Sequence, residues 1–142
     1  MEQAGHKIGE EMIGAVLVVG GGIAGMQASL DLADSGYKVY LVERDSAIGG
    51  HMAKLDKTFP TNDCAMCTIS PRLVDVGRHI NIELLTDSQV ETITGEPGAF
   101  SARLRTKARY IDLERCNGCG ECAEVCPVPV SDAFNEGFSQ RR

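Results

Sequence analysis

The chain has 142 residues, with 14 Lys and Arg against 20 Asp and Glu and a formal net charge of −6. That length suits one domain with a sound core and a small appendage. The acidic balance, the lack of a basic stripe and the absence of Trp argue against a nucleic-acid surface.

No apolar stretch approaches the roughly 18 residues a membrane helix needs. Residues 1–14 carry Glu2, His6, Lys7, Glu10 and Glu11 and no apolar signal core. They read as a flexible lead-in, and the expectation is a cytoplasmic protein with no membrane contact. Residues 15–20, Ala-Val-Leu-Val-Val-Gly, form a Val-rich run that suits a strand buried on both faces. Gly20, Gly22 and Gly25 follow in the order G-x-G-x-x-G. Met26, Leu30 and Ala33 then recur at helical spacing up to a stop near Gly36. Lys38-Val-Tyr-Leu-Val-Glu43 is a second buried-type strand that ends in an acid.

Strand, glycine turn, helix, strand and acid in this order form the context of a dinucleotide fingerprint. Gly20 makes the tight turn, Gly22 admits a pyrophosphate to the backbone, and Gly25 lets helix and strand approach. The helix N-terminus presents its positive end to the phosphates, and Glu43 accepts from ribose hydroxyls. Past Glu43 come Arg44 and a second glycine turn, Gly49-Gly50. That arrangement looks like the flavoprotein form of the fingerprint and favours FAD; an NAD domain with an unrelated Gly-Gly turn is the alternative. A hydroxyl-binding Glu disfavours the 2′-phosphate of NADP.

Residues 51–70 read as irregular, punctuated by Pro60, Asn62 and Asp63. Within them lies Cys64-Ala-Met-Cys67. Three roles fit this C-x2-C pair: a redox dithiol facing a flavin, ligands to a cluster or metal shared with a partner, or two inert thiols. Ser70-Pro71 reads as an N-cap and first-turn proline opening a short helix through Gly77. Residues 81–86 suit a third parallel strand. Residues 88–94, 100–106 and 109–112 suit three antiparallel strands, the first two joined at Gly95-Glu-Pro-Gly98.

Residues 116–127 read Cys-Asn-Gly-Cys-Gly-Glu-Cys-Ala-Glu-Val-Cys-Pro. This is C-x2-C-x2-C-x3-C-P, the spacing with which bacterial-type ferredoxins hold a [4Fe–4S] cluster. Cys116, Cys119, Cys122 and Cys126 are the candidate ligands. Gly118 and Gly120 let the backbone turn around the sulfides. A structural zinc site pairs two C-x2-C units across a longer gap, which this run lacks. A short helix spans residues 120–125, and residues 131–142, with little to bury, are expected to be a mobile tail. The fold class is therefore α/β: a Rossmann-like FAD-binding βαβ unit with a small antiparallel segment over 15–112, and a ferredoxin-type cluster loop over 113–130.

Four segments together resemble one family. They are residues 18–28, residues 49–67 (Gly-Gly-His-Met-Ala-Lys-Leu-Asp-Lys-Thr-Phe-Pro-Thr-Asn-Asp-Cys-Ala-Met-Cys), residues 70–79, and the stretch from Arg109 through the cysteine run. Across residues 12–135 the chain resembles the heterodisulfide reductase A-subunit family, the FAD- and iron–sulfur-carrying part of those enzymes, and its relatives. The resemblance implies FAD, [4Fe–4S] clusters and electron transfer within a large soluble complex. Its implied partners are the other subunits of that complex, with a ferredoxin, hydrogenase or dehydrogenase. In some members the flavin bifurcates electrons. Members are several times longer, carry a domain ahead of the glycine fingerprint, and hold two Cys runs in the ferredoxin module.

In two-cluster ferredoxins the fourth Cys of a run ligates the other cluster, so this cluster lacks a fourth ligand unless Cys126 folds back or another polypeptide supplies it. The chain reads as a split subunit completed by a partner or as a truncated piece, the former being favoured. The functional expectation is an electron-transfer subunit. The rival is a non-catalytic fragment or assembly module with incomplete cofactor sites.

Overall fold

The computed structural model describes residues 14–112 and 114–142. The chain divides into two compact units, the first ending at Thr106 and the second running from Lys107 to Arg142.

The first unit is built on a three-stranded parallel sheet. Its strands are β1 (Ala15–Val19), β2 (Lys38–Val42) and β3 (Ile82–Leu85), in the order β1-β2-β3. Val18 lies opposite Leu41, and Leu41 opposite Leu84. This register sets Val18, Val39, Leu41, Ile82 and Leu84 on one face, following the two-residue period of a strand.

Helices α1 (Ile23–Asp34) and α2 (Ala65–Arg78) cover that face. Met26, Leu30 and Ala33 of α1 recur at three- and four-residue intervals, so they form one stripe. They join Ile69 and Val76 of α2 and Val39, Leu41 and Ile82 of the sheet in a single core cluster. Each large side chain buried there contributes about 1.5–3 kcal/mol as an upper bound. Helix α1 ends as its sequence indicates: Gly36 takes φ +90° and donates its N–H to the Ala33 carbonyl at 3.1 Å. Strands β4 (Ser88–Thr94) and β5 (Ser101–Thr106) form the expected antiparallel hairpin.

Strand β1 departs from the expectation of burial on both faces. Among the described strands it pairs only with β2, and the helices cover one side of the sheet. Val19, on the other side, is 63% exposed.

Helix α2 departs further. Its N-cap is Cys64, whose Sγ accepts the Cys67 N–H at 3.1 Å. Ser70-Pro71 therefore lies inside the helix and does not open it. Pro71 has no N–H to give the carbonyl one turn back, that of Cys67. The stretch expected to be irregular is also more ordered: a 3₁₀ turn runs from Gly50 to Lys54, and Lys57 bridges Cys64 in antiparallel fashion.

In the second unit, Arg109–Asp112 does not form the expected third antiparallel strand; these residues lie outside any strand. Helix α3 (Glu121–Glu124) sits where the short helix was expected, with Gly120 as its cap at φ +84°. The tail carries its own short ladder, with β6 (Val130–Ser131) paired to β7 (Gln140–Arg141). Asp132 organises the connection: its Oδ1 accepts from Phe134 N at 3.0 Å and its Oδ2 from Ser139 Oγ at 3.1 Å. Phe134 and Phe138 remain 56% and 91% exposed, so this ladder is held by hydrogen bonds more than by apolar burial.

Candidate functional site

The carboxyl ends of β1 and β2 meet two glycine turns, where open α/β sheets place their ligands. Gly20 N donates to Val42 O at 2.8 Å, extending the β1–β2 ladder into the first turn. Gly20 has φ +103°, a conformation that favours glycine. Gly25 lies inside α1, where a Cβ would collide with the Gly20 carbonyl oxygen. This is the close helix–strand approach that the sequence assigns to it.

Gly22 is different. Its backbone is extended, with φ −73° and ψ −179°, so strain does not demand glycine there. A Cβ at Gly22 would meet no protein atom within 4 Å. The space in front of it is open, beside the first N–H groups of α1.

The second turn lies against the first. Gly49 N donates to Gly21 O at 2.7 Å. A Cβ on Gly50 would sit 3.1 Å from Gly22 Cα, and Gly50 has φ +57°. Gly49, at φ +123°, backs onto Ala53, Leu73 and Ile69. The four backbones of Gly20, Gly22, Gly49 and Gly50 thus gather at one end of the sheet. The resulting cradle is lined by main chain and open in front of Gly20 and Gly22, which fits the phosphate-bearing part of a dinucleotide.

Glu43 anchors this end. It is buried at 8% exposure. Its Oε2 accepts from Gly21 N at 2.7 Å and its Oε1 from Asp45 N at 3.0 Å. A carboxylate offers about four acceptor positions, so capacity remains for ribose hydroxyls. Arg44 follows on an exposed position of the next loop.

Two residues outside the sequence expectation belong to the same construction. Gly21 is buried, and a Cβ there would meet Ile48 Cγ2 at 2.6 Å and Glu43 Oε2 at 3.1 Å. The signal was available in the run of three consecutive glycines, Gly20 to Gly22. Ile48 has no comparable mark; it acts as a spacer that only packing reveals.

Cys64 and Cys67 are joined by a disulfide with Cα atoms 5.2 Å apart. Both are exposed at the N-terminal end of α2. His79 pairs through Nε2 with Asp34 Oδ1 at 3.1 Å, and its Nδ1 accepts from Asn81 N at 3.1 Å.

In the second unit Cys116, Cys119 and Cys122 are exposed and Cys126 is half-buried; all four are free thiols. Among the described residues no three His, Cys, Asp or Glu side chains converge as a metal site. Gly118 at φ +75° and Gly120 at φ +84° supply the turns between them. Cys119 N donates to Asn117 Oδ1 at 3.1 Å. The Cys126 thiol points to Val128 O at 3.7 Å. Four thiols on a glycine-rich loop form a donor set whose chemistry suits an iron–sulfur cluster.

Comparison with known proteins agrees with both halves. The FAD dependent oxidoreductase family matches residues 15–108, and the 4Fe-4S binding domain family matches residues 109–130. These matches support FAD and an iron–sulfur cluster as the cofactors. A heterodisulfide reductase A-subunit-like protein of Archaeoglobus profundus is 58% identical over 128 residues, covering 89% of this chain and 18% of the relative. A CoB–CoM heterodisulfide reductase iron-sulfur A-subunit of Methanopyrus kandleri is 52% identical over 132 residues, covering 93% of this chain and 20% of the relative.

Two solved structures share the fold. L-proline dehydrogenase from P. horikoshii superposes with a TM-score of 0.53 at 24% identity, over 73% of this chain and 22% of that one. Thioredoxin reductase from T. acidophilum gives 0.53 at 18% identity, over 62% of this chain and 29% of that one. Among the described residues no helix is long and apolar enough to cross a membrane. The chain belongs to the FAD dependent oxidoreductase family and is homologous to the A-subunits of heterodisulfide reductases, spanning about a fifth of the length of the curated relatives it matches.

Proposed function

We propose that this chain holds FAD and a [4Fe–4S] cluster as an electron-transfer part of a heterodisulfide reductase-like complex. The observation that carries the reading is the close approach of Gly50 to Gly22 at the start of α1, which leaves open space where a pyrophosphate would lie. In this reading Gly20, Gly22, Gly25, Gly49 and Gly50 form the cradle, Glu43 takes ribose hydroxyls and Arg44 lies beside the nucleotide. Cys116, Cys119 and Cys122 are the thiolates that hold this cluster, and Cys126 is a thiolate ligand directed at a neighbouring one. FAD exchanges electrons singly or in pairs, whereas the cluster passes one at a time. The chain's own work is to bind and orient these groups. Glu43 and the α1 N–H groups hold the nucleotide in the open space before Gly22.

The partners are other subunits of such a complex, with a ferredoxin, hydrogenase or dehydrogenase as electron source or sink, in the cytoplasm. The half-buried position of Cys126, apart from its three exposed neighbours, favours a cluster completed with help from outside the run. Anaerobic purification followed by a visible spectrum and iron and sulfide assays tests the reading. Flavin bands together with a broad iron–sulfur shoulder are expected. A colourless chain that takes up neither group on reconstitution would instead favour an assembly module with incomplete sites.

A further inference from the structure

We infer that Cys64 and Cys67 form a reversible dithiol–disulfide couple that takes a thiol or dithiol co-reactant, with Cys64 as the sulfur released first. Of the six cysteines in the sequence, these two are bonded to each other while the four of the second unit are free. Both are exposed, so an external thiolate can reach the bond. A structural disulfide closing a loop this short would add little stability, because the loop-closure entropy it removes is small. The pair is therefore poorly explained as a staple.

The surroundings differentiate the two sulfurs. Cys64 is the N-cap of α2, and its Sγ accepts the Cys67 N–H at 3.1 Å. A thiolate forming on Cys64 meets that donor and the positive end of a 14-residue helix. The segment before it is held in place: Ala65 N donates to Asp56 O at 3.1 Å, Thr58 N to Asp63 O at 2.9 Å, and Lys57 bridges Cys64. One helical turn on, Ile69 is fully buried and its Cδ1 lies 3.9 Å from the position of a Cβ on Gly49. The couple thus stands on a braced helix end whose next turn packs on the second glycine turn.

The exchange balances without any group beyond the co-reactant. A dithiol's first thiolate attacks Cys67 Sγ, forming a mixed disulfide while the Cys64–Cys67 bond breaks and Cys64 leaves as the thiolate. The dithiol's second sulfur then attacks the mixed disulfide, releasing Cys67 as a thiol and leaving the co-reactant as its cyclic disulfide. The Cys64 thiolate takes up the second proton that the dithiol gave up, so two electrons and two protons pass from dithiol to couple.

The test is an anaerobic titration of the purified full chain across reduced-to-oxidised dithiothreitol ratios. Free thiols are trapped with a maleimide and read on the peptide carrying residues 64 and 67 by mass spectrometry. The expected result is a single step in which both thiols appear together and disappear together on return to the oxidised end. In Cys67→Ala, the remaining Cys64 should form a mixed disulfide with oxidised glutathione at least about threefold faster than Cys67 does in Cys64→Ala. The inference is overturned if the wild-type pair stays reduced at the oxidised end or stays oxidised at the reduced end. It is equally overturned if the two sulfurs are blocked by bound metal and not by each other. Because the readout is thiol chemistry on this peptide, it stands or falls separately from flavin and cluster content.

Discussion

Gly21 N–H donates to Glu43 Oε2 at 2.7 Å across 22 residues of sequence, tying the first glycine turn to the end of β2. Asp45 N holds the other carboxylate oxygen at 3.0 Å. One buried side chain thereby sets the turn, the strand end and the loop leading to the second glycine turn. Ser88 N donates to Glu43 O and Glu43 N to Leu85 O, each at 2.9 Å, so the same residue also joins β3 and β4.

Glu43→Gln should therefore destabilise the first unit. The amide nitrogen cannot accept, so one of the two backbone N–H groups faces a donor and loses its partner. The expected cost is about 1–3 kcal/mol, read as a lowered midpoint in urea unfolding. Unchanged stability would mean that the carboxylate serves the ligand alone.

Pro71→Ala should raise stability. Proline in a helix interior is about 3 kcal/mol less favourable than alanine, and alanine restores an N–H for the Cys67 carbonyl. A gain on the order of 1–3 kcal/mol in thermal or urea unfolding is expected. A loss would show that the ring's packing outweighs the missing bond.

The start of α2 explains what the sequence concealed. Ser70-Pro71 is a strong local start signal, yet the helix begins five residues before Ser70, because Ala65, Ile69, Leu73 and Val76 already recur at spacings of four, four and three. That stripe buries Ala65, Ile69 and Val76 in the sheet's core, and tertiary packing overrides a punctuation mark. A cysteine N-cap is also rarely sought, since Ser, Thr, Asp and Asn are the usual caps. The βαβ order was legible because each piece constrains the next: buried strand, glycine turn, amphipathic helix, acid. The exposure of β1 was not, since a Val-rich run reports how a strand prefers to be buried and not how many neighbours it has. Residues 109–112 carry the strand-favouring pair Tyr110 and Ile111, but β5 ends at Thr106, and among the described residues no strand lies alongside them to complete a ladder.

Among the cluster thiols, Cys119→Ser should abolish iron retention by this chain, whereas Cys126→Ser should leave most of it. The basis is the half-buried Cys126, turned toward Val128 O, against three exposed thiols on the turn itself. Iron and acid-labile sulfide assays under anaerobic conditions check this. Equal losses in the two variants would show that Cys126 closes the site from within the run.

Gly25→Ala should disrupt the fold and not merely the ligand site. Its Cβ would strike the Gly20 carbonyl, so α1 must move off the turn. A cost of about 1–3 kcal/mol is expected, with flavin binding lost as a consequence. A fully stable Gly25→Ala variant would contradict the close approach of helix and strand.

Gly22→Ala separates ligand from fold, and FAD titration of this variant against the wild type tests the central claim most directly. The added methyl meets no protein atom within 4 Å, and the backbone there is extended. The account predicts an unfolding midpoint close to that of the wild type and FAD affinity at least about tenfold weaker, a difference of about 1.4 kcal/mol. Equal FAD affinity in the two proteins would show that the nucleotide does not lie in the cradle formed by Gly22 and Gly50.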